Sequence, residues 1–72
     1  MNYSWNDRFK HIFIMDYDVG RSREIREWLI IQFGVGGYDK DWDFEVWIDN
    51  GGCYSYYFVH KCAYQWFLLR WA

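Results

Sequence analysis

The chain has no proline and only two cysteines among its 72 residues. Without proline, no residue locks its own φ or removes a backbone donor, so nothing imposes a kink or a rigid spacer. Cys53 and Cys62 are too few for a disulfide framework, and in a reducing compartment the expectation is two free thiols. A basic excess is also missing. The formal charge is −2, which excludes the general attraction for nucleic acid or anionic membrane that a basic domain has. No apolar run approaches the roughly 18 residues of a membrane span, and the opening MNYSWNDRF lacks the charged-then-apolar order of a signal region. Low-complexity tracts, repeats and linker composition are absent too. These absences predict one compact domain over residues 1–72, located in the cytoplasm, with no membrane contact and no cofactor.

What the chain has instead is aromatic residues. Six Trp, seven Tyr and six Phe must stabilise a domain so short that it buries only about 60% of the surface its unfolded form exposes. Each ring can bury roughly 150 to 250 Å², more in sum than one small core can hide. Some rings are therefore expected outside, where contiguous exposed aromatic surface marks a contact site.

Residues 8 to 15, RFKHIFIM, have the β-branched and aromatic content of a strand, with Ile12 and Ile14 on one face and His11, Phe13 and Met15 on the other. Because both faces are apolar, this strand is expected in the centre of its sheet. Arg21 to Phe33 places Ile25, Trp28, Leu29 and Phe33 at helical spacing, with Arg23 and Glu27 paired at i,i+4 on the opposite side and Gly34 as the cap. DFEVWID, residues 43 to 49, alternates Phe44, Val46 and Ile48 against Asp43, Glu45, Trp47 and Asp49. NGG then signals a hairpin. A two-residue loop would put Ser55 and Tyr57 on the face of Phe44, whereas a three-residue loop, Asn50 to Gly52, pairs that face with Tyr54, Tyr56 and Phe58, so the longer loop is expected. From His60 the tail HKCAYQWFLLRWA places Ala63, Trp66, Phe67 and Arg70, with Cys62 and Leu69 beside them, at helical spacing. Its final rings are expected to close the core.

The predicted class is α+β in the order β-α-β-β-α. This is a half-ferredoxin-like arrangement, an open three-stranded sheet with two helices packed on one face. The opposite face is then left open, and is expected to carry His11, Phe13, Glu45, Trp47, Ser55, Tyr57 and Val59.

Chemical motifs are few. Asp39, Asp41 and Asp43 alternate like the start of a calcium loop, but position six is Phe44 instead of Gly and position twelve is Asn50 instead of Glu. GVGG, residues 34 to 37, lacks the Lys and Ser/Thr of a phosphate loop and follows a helix. Cys53, His60, Cys62 and His11 contain no Cys-x2-Cys knuckle, so no metal is expected. No third group orients a Cys–His pair for nucleophilic catalysis, so an enzyme is the last expectation. The acidic run from Asp39 to Asp49, interrupted by Lys40 alone, reads as a solvated loop or as a surface steering toward a basic partner.

FLLRW, residues 67 to 71, follows the aromatic strand YYF and has the form Phe-x-Leu-Arg-Trp. Over about the last fifteen residues it resembles small proteins encoded by tailed bacteriophages, in which an aromatic strand and a short helix end on an F-x-L-(K/R)-W run, and a segment like REIREWLIIQFG fits upstream in such proteins. Tyr64 and Trp66 depart from the charged residues expected in that helix. The resemblance implies an accessory phage protein, a class that includes binders of host enzymes, defence systems and nucleases, acting in the host cell cytoplasm. It transfers no catalytic residue.

The sequence therefore predicts a non-enzymatic protein-binding module that inhibits or redirects a host protein. Its contact residues are expected to be Phe13, Trp47 and Tyr57, flanked by Asp39, Asp41, Asp43 and Glu45. Single-stranded nucleic-acid binding through sheet aromatics and a small-ligand-binding oligomer are the alternatives, and a homodimer through the open face is expected to be possible.

Overall fold

A computed structural model describes residues 8–47 and 51–72. β1 (His11–Asp16) leads into α1 (Val19–Phe33), then β2 (Trp42–Trp47), β3 (Cys53–Phe58) and α2 (Lys61–Trp71). The element order and class are those the sequence predicts. Asp18 starts α1 by accepting the Arg21 backbone N–H on its side chain, and Gly34 closes it by donating to the Ile30 carbonyl. These contacts satisfy groups that a helix terminus leaves without intrahelical partners.

The sheet order is β1-β3-β2, with both pairings antiparallel. β1 and β2 therefore run parallel, joined by the α1 crossover, and β3 fills the gap between them as in a split β-α-β unit. This corrects the expectation that β1 is central. Its two apolar faces do not mean burial on both sides: β1 is an edge strand, and Ile12 and Ile14 stay 47% and 65% exposed. The central strand is β3, whose Tyr56 and Phe58 are fully buried.

The hairpin pairs Phe44 with Tyr56 and Val46 with Tyr54. The shared face is the one argued from side-chain size, but the register lies two residues from that of an Asn50–Gly52 loop, with Trp47 opposite Cys53. Ile48, Asp49 and Asn50 lie outside the described residues. Gly52 has φ 81°, and a Cβ there would sit 3.0 Å from the Trp47 carbonyl oxygen. Both conditions favour glycine.

Both helices pack on the side of the sheet that carries Tyr56. The Ser22 hydroxyl of α1 is hydrogen-bonded to the Tyr56 phenol, and Phe67 of α2 packs on Phe13, Tyr56 and Phe58 with ring centroids 5.1, 5.9 and 4.9 Å away. Ile25 and Leu29 complete the buried stripe of α1. On α2 the inward residues are Ala63, Tyr64, Phe67, Leu68 and Trp71. The stripe is thus rotated from the expected one: Leu69 is 88% and Trp66 49% exposed, and Cys62 is exposed. Trp71 is nevertheless buried, so the aromatic tail does close the core. The expected Arg23–Glu27 ion pair does not form; the Asp41 carboxylate instead lies 3.5 Å from the His60 imidazole.

Trp42 opens β2 almost completely buried, although the sequence reading leaves it in a loop. Its indole N–H donates to the Gly34 carbonyl at 2.8 Å, and Gly36 lies flat against its ring, where a Cβ would come within 2.8 Å. Trp42 therefore ties the segment after α1 back onto the core. No helix among the described residues is long and apolar enough to cross a membrane.

Candidate functional site

Alternation along the strands places three rows of side chains on the sheet face away from the helices. Reading across the registers, these are Ile12, Tyr57 and Asp43; Ile14, Ser55 and Glu45; and Asp16, Cys53 and Trp47. Glu45, Trp47, Ser55 and Tyr57 lie on this face as the sequence predicts. His11 and Phe13 do not. Phe13 faces the helices, packed edge-on against Phe67, and His11 stacks on Tyr64 with centroids 5.2 Å apart. The reason is a one-residue parity error: β1 is apolar on both faces, so its own pattern gives no preference, and the fit of Phe13 beside Tyr56 decides it. Ile12 and Ile14 take the outward places.

The middle of this face is not bare. Tyr57 and Ser55 are 5% and 4% exposed, and Phe9 is buried beside them, its ring 6.1 Å from that of Tyr57. Tyr57 donates a 2.6 Å hydrogen bond to Glu45 Oε1. Burial above all, then the bond to Glu45 and the charge it carries, push the Tyr57 phenol up to about 12, while hydrogen bonding with Ser55 and Trp47 opposes the rise. At neutral pH this is a protonated donor that holds a carboxylate in place. On the other side of the sheet, burial raises the Tyr56 phenol, against the Ser22 hydrogen bond and the charge of Arg26.

The predicted carboxylates are brought together along one border of the molecule, because β2 is an edge strand. Asp43 and Glu45 project from its outer face, and Asp39 and Asp41 occupy the exposed turn that enters it. The turn is held by Gly37 N–H to the Trp42 carbonyl and by Lys40 N–H to the Gly37 carbonyl. Asp41 is partly structural. Its carbonyl accepts the Val59 N–H, and its carboxylate sits beside His60, the residue that starts α2. Trp47 stands half-buried two residues beyond Glu45.

A second surface escapes the sequence reading. The outer side of the helix layer holds a shallow groove of about 340 Å³ lined by Glu24, Glu27, Trp28, Ile31, Arg70 and Trp71. Ile31, 79% exposed, belongs to the groove, while Leu69 and Trp66 stand out on the neighbouring turns of α2. The 3.6-residue spacing of Glu24, Glu27, Trp28 and Ile31 is a signal for it, but Trp28 also falls in the apolar stripe with Ile25 and Leu29, so spacing alone does not separate the two.

Among the described residues no three His, Cys, Asp or Glu side chains stand close enough to hold a metal ion. No known protein family, curated protein or solved structure matches the chain.

Proposed function

We propose that this chain is a non-enzymatic protein-binding module, an accessory protein of the phage type that docks on a basic surface of a host protein and inhibits or redirects it. The observation that carries the reading is the acidic border: Asp39, Asp41, Asp43 and Glu45 along one edge strand and its entry turn, next to Trp47. An aromatic anchor with charges at its rim is how a small surface gains affinity and steers encounter. Glu45 is held by Tyr57, so one of these charges is pre-oriented before any partner arrives. The three rows on the sheet face away from the helices hold Asp16, Asp43 and Glu45 and no Lys or Arg, which disfavours the nucleic-acid alternative because phosphate neutralisation needs cations.

The experiment is an affinity capture from the host cytosol on the immobilised chain, with Trp47→Ala and Asp39→Lys/Asp41→Lys as parallel baits. The expected result is a protein with a basic surface, retained by the wild type, lost from Trp47→Ala and released by salt. Equal retention by all three baits, or steeply salt-dependent binding of an unstructured oligonucleotide in place of a protein, would overturn the reading.

A further inference from the structure

The helix layer carries a hole and a projection on one face, with charges of both signs. In the hole, Glu24, Glu27, Trp28 and Ile31 follow one another at i, i+3, i+4 and i+7 along α1, and Arg70 and Trp71 form the opposite wall. The projection is Leu69, 88% exposed, with Trp66 one turn before it. Trp66 is rigidly set: its ring packs edge-on against Trp28 and Phe33, with centroids 5.8 Å away in each case. Neither Glu24 nor Glu27 forms an ion pair among the described residues. The Arg70 guanidinium stacks over Trp71 at 4.0 Å and meets no carboxylate there. The indole N–H of Trp71, itself 7% exposed, has no acceptor.

We propose that this face pairs two copies of the chain about a two-fold axis. Leu69 of each copy enters the groove of the other while the exposed side of Trp66 covers its rim, and Arg70 of each meets the opposing Glu24 and Glu27. A two-fold interface requires one patch to be complementary to itself, and a face with a projection, a hole, two carboxylates and a guanidinium, none of them in an ion pair among the described residues, meets that requirement. A partner of purely basic character would leave Arg70 facing a like charge. The pairing does not use Trp47 or the acidic border, so it is independent of the docking proposed above.

Sedimentation equilibrium of the full chain from low to high micromolar concentration tests this. The wild type is expected to reach the dimer mass. Leu69→Glu, at a site too exposed to disturb folding, is expected to raise the dissociation constant by roughly tenfold or more, the mark of an interface anchor. Glu27→Arg and Arg70→Glu should each weaken self-association, while an equimolar mixture of the two should form a heterodimer tighter than either homodimer. Melting curves of each variant check that the fold is kept. A monomer at every concentration would overturn the proposal and leave the groove to a different chain. So would a dimer indifferent to Leu69→Glu, which would have to form through the sheet.

Discussion

Phe67 and Leu69 stand two residues apart in one apolar run, yet the structure gives them opposite roles, and replacing each by alanine separates those roles. Phe67 is fully buried and, with the less buried Tyr64, joins α2 to both β1 and β3, touching Phe13, Tyr56 and Phe58, with Trp28 of α1 at 6.3 Å. Phe67→Ala removes that hub and leaves a cavity that aromatic neighbours cannot easily fill, a change that costs about 3 to 5 kcal/mol. A domain of this length has roughly 4 to 11 kcal/mol of stability to lose. With a slope of about 2 kcal/mol per molar guanidinium chloride, the midpoint should fall by roughly 1.5 to 2.5 M. Leu69→Ala should shift it by no more than about 0.3 M, since exposed substitutions stay within roughly 0.5 kcal/mol. The assay is equilibrium unfolding followed by far-ultraviolet circular dichroism, at a concentration low enough to keep the chain monomeric. Equal losses for the two variants, or a larger loss at Leu69, would refute the orientation of α2. Truncation after Trp66 removes Phe67 and Trp71 together, and should abolish the cooperative transition.

Gly36→Ala should lower stability by about 1 to 3 kcal/mol, the usual range for overpacking, because the new methyl would meet the Trp42 ring at 2.8 Å; the same denaturation experiment reads it. Tyr57 gives a pH dependence with a defined sign. Its folded value lies above the ordinary 10, at about 12, so its stabilisation is complete below pH 10 and is lost as pH rises from 10 through 12. The linkage is worth at most roughly 2 to 3 kcal/mol, less where solvent screens the hydroxyl. Melting temperatures across that alkaline range should fall less steeply for Tyr57→Phe than for the wild type. Reversing Asp39 and Asp41 to lysine should slow association with a captured partner and flatten its salt dependence while leaving dissociation nearly unchanged, since rim charges act mainly on encounter; surface plasmon resonance separates the two rates.

Sequence alone determined what depends on neighbours along the chain. The stop at Gly34 and the period of α1 follow from residues within one or two turns of each other. The shared face of Phe44 and Tyr56 follows from parity across a short hairpin, where a slip of one residue would expose the larger rings. The placement of Trp47, Tyr57, Asp43 and Glu45 on one face of the sheet was legible for that reason. Tertiary structure alone decided whatever required comparing segments far apart. β1 is apolar on both faces and α2 on nearly all sides, so neither pattern fixes which way the element turns. The insertion of β3 between β1 and β2 turned Phe13 inward and left Ile12 and Ile14 outside, and the packing of Phe67 and Trp71 turned Leu69 and Trp66 toward solvent. The groove between the helices had the same origin: its walls come from α1 and α2, and their facing is set by packing between side chains distant in sequence, such as Trp28 with Trp66 and Trp71.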